Sequence, residues 1–117
     1  MTVPGHRAER LGDRIRTELA EMVSGELKDP RIGFATVTGV ELSSDLRHVR
    51  VSVSVLGSAD EQQNSLQGLI SATGYVRHEL GLRLRLRRVP EVTFTLDQTA
   101  EESARLETLL TKLTKEP

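Results

Sequence analysis

The strongest constraint on this chain lies between His48 and Leu56, where Val49, Val51, Val53 and Val55 alternate with His48, Arg50, Ser52 and Ser54. Successive side chains of a strand point to opposite faces, so the pattern describes a strand with one apolar and one polar face. A sheet built on it must cover the apolar face with helices and can leave the other to water. Phe34 to Leu42, rich in Thr and Val, is the expected partner strand, with Gly39 a predicted bulge. Ser43-Ser44-Asp45 between them has turn chemistry, which makes the pair antiparallel. Val92 to Leu96 supplies a third strand, and Pro90 places it at an edge or a bulge.

The helices are read from three-and-four spacing. Leu11, Ile15, Leu19, Met22 or Val23, and Leu27 predict a first helix over Arg7 to Leu27, stopped at Asp29-Pro30-Arg31 because proline cannot continue the hydrogen-bond ladder. Gly57 to Gln63 is polar and reads as a loop. Leu66, Leu69, Ile70, Thr73, Val76 and Leu80 then mark a helix with one buried face, interrupted at Ser71-Ala72-Thr73-Gly74-Tyr75 and closed at Gly81. A glycine inside a helix costs about 1 kcal/mol against alanine, so Gly74 calls for a bend or a close approach. Leu82 to Arg87 alternates with period two and suggests extended chain; Glu101 to Leu113 predicts a short final helix. Phe34 and Phe94 are expected in the core. With 117 residues, the chain is a single α+β domain.

The net charge of −1 conceals a segregation of sign. Thirteen of the sixteen basic residues are arginine, whose planar fork of donors suits phosphates and base edges. Arg77, Arg83, Arg85, Arg87 and Arg88 are opposed in their own stretch only by Glu79, while acids gather after Glu91. The block has two readings on residues alone: a phosphate-binding surface, or a soluble strand edge. Arg10 and Arg14 are secondary candidates on a helix face mixed with acids, and Arg31 a third. His6, His48 and His78 show no metal-ligand spacing, and neither a nucleotide-hydrolase phosphate loop nor a framed nucleophile appears, so no catalytic, metal or cofactor residue is assigned. Three aromatic residues disfavour recognition by base stacking on exposed rings. The amino terminus lacks a signal peptide's apolar segment, no run is long enough to span a bilayer, and cysteine is absent, so a cytoplasmic location is expected.

The order of these elements, together with Lys28-Asp29-Pro30-Arg31-Ile32-Gly33, Ser44-Asp45-Leu46, Val51 to Gly57, Ser71 to Arg77, Leu84 to Arg87 and Pro90 to Phe94, closely resembles the ribosome-binding factor A family over roughly Arg7 to Leu110. The family commonly carries proline at the position of Ser44 and glycine near Ser103, both in connecting regions. The resemblance implies a single KH-like domain of the second type, α-β-β-α-kink-α-β, spanning residues 7–113 with flexible ends at 1–6 and 114–117. In that fold the Ala-x-Gly bend Ala72-Thr73-Gly74 replaces the nucleotide-gripping Gly-x-x-Gly loop. It implies a monomeric, non-enzymatic assembly factor that binds the immature small (30S) ribosomal subunit and its precursor 16S rRNA. Such a factor promotes late rRNA processing, supports growth in the cold, and is released by an assembly GTPase. The RNA-binding residues it implies are Ala72, Gly74, Arg77, Arg83, Arg85, Arg87 and Arg88, with Arg10, Arg14 and Arg31 secondary. The competing expectation is a general KH-like RNA-binding or protein-interaction module without ribosome specificity.

Overall fold

A computed structural model describes residues 4–99 and residue 109. Helix α1 spans Pro4–Glu21 and runs into a π-helical turn over Met22–Glu26. Strands β1 (Ala35–Leu42) and β2 (His48–Val55) follow, then helices α2 (Ala59–Ser71) and α3 (Thr73–Leu84), and strand β3 (Glu91–Leu96). The sheet has the order β1-β2-β3, with β1 antiparallel to β2 and β2 parallel to β3. A parallel neighbour requires a long crossover, and α2 and α3 provide it. The architecture is α+β, with the helices on one face of a three-stranded mixed sheet. Among the described residues, no helix is long and apolar enough to cross a membrane.

The alternation in β2 is realised: Val49, Val51, Val53 and Val55 are all buried. Against them pack Ile15, Leu19, Leu69, Val76 and Leu80, each fully buried, with Val92 and Phe94 from β3. Pairing passes from Val37↔Val53 to Gly39↔Ser52, so Thr38 is the extra residue of a bulge beside the predicted Gly39. The Thr38 hydroxyl donates to the Ser52 carbonyl (3.2 Å), and Nη2 of Arg16 reaches the Thr38 carbonyl from α1 (3.4 Å). The π turn, closed by Leu27 N–H on the Met22 carbonyl (3.1 Å), resolves the choice between Met22 and Val23 by burying both. The α-helical part of the first helix therefore stops at Glu21, and Leu27 leaves in extended geometry ahead of Pro30.

Four expectations are corrected. Gly57 to Gln63 is a loop only as far as Ser58: the Ser58 hydroxyl accepts from Glu61 N–H while the Glu61 carboxylate accepts from Ser58 N–H, a capping box that starts α2 at Ala59. Leu82 to Arg87 is not extended chain, and Gly81 does not end the helix. α3 continues to Leu84 because Leu80 and Leu84, four residues apart, are both buried. The helix stops where Arg85 turns left-handed (φ 53°, ψ 48°). Gly81 instead permits close approach, since a Cβ there would lie 2.8 Å from Val89 Cγ2. Phe34 is not core: it lies past the end of the hairpin, 83% exposed beside Leu56. Ile70 is also exposed, since the buried side of α2 runs through Gln62, Ser65 and Leu69. The expected final helix, Glu101 to Leu113, falls outside the described residues apart from Leu109.

Candidate nucleic-acid interface

The helical interruption is a bend between two helices. Ala72 N–H donates to the Gly68 and Leu69 carbonyls (both 3.1 Å), and Val76 N–H opens α3 by donating to the Ala72 carbonyl (2.9 Å). The Thr73 hydroxyl donates to the Ile70 carbonyl (2.7 Å), the kind of local back-bonding that bends helices. Gly74 follows the bend, and a Cβ built on it would meet nothing within 4 Å. Its glycine therefore answers no steric demand. The close approach is at Gly68, where a Cβ would stand 2.7 Å from Ile32 Cγ1.

That approach seats the Asp29–Gly33 turn on α2. Asp29 accepts from the Arg31 backbone N–H (2.9 Å) and pairs with its guanidinium (Nη2–Oδ2 2.6 Å). These bonds hold the Asp29 carboxyl down at about 2. The Ser65 hydroxyl accepts from Gly33 N–H (3.0 Å) and donates to the Arg31 carbonyl (3.1 Å), locking the turn to the helix. Between turn and bend lies a groove of about 550 Å³ lined by Glu26, Leu27, Lys28, Asp29, Pro30, Ala72 and Tyr75. Both of its carboxylates are engaged, Asp29 with Arg31 and Glu26 with Arg83.

The arginine block divides into two classes. Arg83 is enclosed by Glu26 (2.6 Å), Glu79 (3.1 Å) and Glu18 (3.3 Å), which fasten α3 to α1 and the π turn. Hydrogen bonds to Glu26, then Glu79 and Glu18, raise its pKa. Arg77 donates to the Pro90 and Val89 carbonyls (both 3.1 Å), pinning the α3–β3 connection. Arg85, Arg87 and Arg88 are exposed, and their side chains make no ion pair or hydrogen bond among the described residues. Arg10 and Arg14 are likewise exposed and unpaired among the described residues. Arg31 reaches solvent while committed to Asp29.

A second cavity, of about 730 Å³, opens beside α3 where Arg77 lines it, whereas Tyr75 lines the first groove. Leu11, Leu46, Leu86 and Val89 form apolar walls, and Arg47, His48, Arg77 and Arg88 bring basic groups, with Asp45 and Glu91 among them. Since α1 contributes Leu11, the helical spacing places Arg14, three residues on, beside the same region. The tertiary structure thus gathers basic residues from α1, the β1–β2 turn and the α3–β3 connection. It separates them from the bend, which faces the other groove. The sequence marks His48 only as a polar strand residue and gives Arg47 no role; the parallel pairing of β3 with β2 brings both beside Arg88. No cluster of His, Asp or Glu suited to a metal ion exists among the described residues.

Residues 7–110 match the family described as ribosome-binding factor A. The chain belongs to that family. Similar solved structures include a Thermotoga maritima protein described as a ribosome-binding factor A, at 35% identity and TM-score 0.69, covering 81% of this chain and 91% of that one. The crystal structure of ribosome-binding factor A from Thermus thermophilus is 29% identical with a TM-score of 0.66, covering 76% of this chain and 94% of that one. A homology model of Thermus thermophilus ribosome-binding factor A, fitted into an electron microscopy map of a complex between 30S and ribosome-binding factor A, is 30% identical at TM-score 0.64, covering 75% and 92% of the two chains. This family's fold is therefore combined here with an arginine-rich cavity lined by Arg77 of α3 and a separate acid-lined groove lined by Tyr75.

Proposed function

We propose that this protein is an assembly factor that binds the immature small ribosomal subunit and its precursor 16S rRNA. The single observation that carries the reading is family membership over residues 7–110, joined to a relative fitted into a 30S complex. The described core fits a KH-like domain of the second type, with Ala72-Thr73-Gly74 in place of the Gly-x-x-Gly loop. RNA contact falls on the unpaired arginines Arg85, Arg87 and Arg88, with Arg10 and Arg14 as flanking contacts. Arg77 and Arg83, both committed inside the molecule, serve by holding the α3–β3 connection and α3 itself. Ala72, Gly74 and Arg31 would meet RNA only along the groove between the Asp29–Gly33 turn and the bend.

The mechanism needs no bond-making. A protein that binds one rRNA conformation better than another shifts their equilibrium by its differential affinity. That suffices to promote late maturation and precursor processing, a service most useful in the cold, where misfolded RNA rearranges slowly. Release follows when the finished subunit, or an assembly GTPase acting on it, lowers affinity for the bound state. The protein acts in the cytoplasm as a monomer when off the ribosome.

Sucrose-gradient sedimentation of cell lysate tests the proposal. Co-migration with free small subunits and absence from polysomes is expected. Equal affinity for unrelated short RNAs would reduce the protein to a general RNA binder, and nuclease-resistant capture of a protein partner would replace RNA altogether.

A further inference from the structure

We propose that the cavity between the β1–β2 turn and the α3–β3 connection seats one unpaired nucleotide of an RNA strand, its phosphodiester held by Arg47 and Arg88 and its base laid on the apolar floor. This deepens the ribosomal reading and rests on it for the source of the RNA. The first ground is shape and chemistry together. The cavity is about 730 Å³, with Leu11, Leu46, Leu86 and Val89 as an apolar surface inside a charged rim. A duplex shows its phosphates and keeps its bases stacked within, so it would leave that floor uncovered. An unpaired nucleotide presents both an anion and a flat apolar plane.

The second ground is charge. Three arginines and two carboxylates line the cavity, leaving one cation in excess against the single charge of a phosphodiester. Asp45 is already satisfied: it accepts from the Ser43 hydroxyl and from Arg47 N–H, which hold its pKa below the usual carboxylate range. Glu91 lies 3.7 Å from His48. Arg77 is spent on the Val89 and Pro90 carbonyls. The guanidinium groups of Arg47 and Arg88 remain: neither makes a hydrogen bond or ion pair among the described residues, and Arg47 acts on Asp45 only through its charge. Arginine's fork is suited to phosphate.

The third ground is preorganisation, which lowers the ordering cost of binding. The Arg47 carbonyl accepts from Glu91 N–H (2.8 Å), tying the turn to β3. Ser43 N–H donates to the His48 carbonyl (2.9 Å), and the Ser43 hydroxyl accepts from His48 N–H (3.0 Å). Leu46, a non-glycine residue at φ 62°, is held there by its N–H on the Ser43 carbonyl (2.9 Å). Strained residues of this kind gather at ligand clamps, and this one forms part of the floor. On the opposite side Arg77 is a positioning residue, since it fixes the connection immediately after Arg88.

The test uses the full chain, a short labelled single-stranded RNA, and the duplex made from the same strand. Arg47→Gln and Arg88→Gln should each weaken single-strand binding roughly tenfold or more, the size of a lost charge-assisted hydrogen bond. Arg47→Lys, which keeps the charge and loses the fork, should fall between. Arg50→Gln, on the open sheet face with Glu41, should leave binding unchanged. In methyl NMR spectra Leu46, Leu86 and Val89 should shift with the single strand and stay in place with the duplex. Wild-type binding by both glutamine variants, or equal shifts with the duplex, would overturn the seat. Sedimentation of the wild type with small subunits is read separately: its failure removes the ribosomal reading, while the oligonucleotide measurements still decide the seat.

Discussion

The two hollows beside α3 make opposite use of charge. At the bend, each groove carboxylate already has an arginine, and Lys28 is the one cation of the lining without a partner among the described residues. In the other hollow, Arg47, Arg77 and Arg88 come from three separate segments to line an apolar cavity, and the side chains of Arg47 and Arg88 make no hydrogen bond or ion pair among the described residues. An arginine neutralised by carboxylates contributes to architecture; one left in water can exchange its counterions for a phosphate backbone. Number of arginines is therefore a poorer guide to the RNA surface than the company each one keeps.

The comparison breaks most readily under charge removal. Replacing Arg85, Arg87 and Arg88 together with Gln should lower affinity for the small subunit by orders of magnitude, and reduce the slope of log affinity against log salt by about two to three. Tyr75→Ala, in the other groove, should leave that slope intact; the reverse result would move the interface to the bend. Arg83→Gln sharpens the division, because it strands Glu18, Glu26 and Glu79 around a neutral group. It should lower the melting temperature by several degrees while the salt slope measured on remaining folded protein stays as in the wild type.

Smaller effects separate the two glycines. Gly68→Val forces a side chain into Ile32 and should cost about 1–3 kcal/mol in chemical denaturation. Gly74→Ala meets open space and should stabilise by roughly 0.5–1 kcal/mol. If it also weakens subunit binding, the exposed backbone at the bend touches RNA directly. The smallest effect is tied to pH. The Asp29 carboxyl is lowered on folding from 3.8 to about 2, so its contribution is present above pH 4 and lost as pH falls through 2. Melting curves of Asp29→Asn and wild type should differ at neutral pH and converge near pH 2.

How much was legible follows from the range of each signal. The β2 alternation, the Gly39 bulge, the antiparallel hairpin and the first helix are local patterns, and the structure carries them, except that the first helix gives way to a π turn after Glu21. The start of α2 was equally local, written as Ser58 and Glu61, but a polar run masked it. Leu82 to Arg87 reads as extended chain because leucine and arginine alternate there, and only burial of Leu84, four residues after Leu80, carries the helix on to Leu84. Phe34 is aromatic beside a strand, a pattern that reads as core; only its place beyond the last hairpin pair exposes it.

By itself the sequence determined an α+β domain with a one-faced sheet, the bend after Ser71 and the resemblance that comparison with known proteins bears out. Periodicity, capping and motif order are properties of neighbouring residues, so they need no folded chain to be read. Only the tertiary structure decided which arginines are free. Arg83 meets Glu18 and Glu26 from more than fifty positions away, and Arg47 meets the connection after α3 because β3 lies parallel to β2. Electrostatic partnership is fixed by distance in space, and distance along the chain does not contain it.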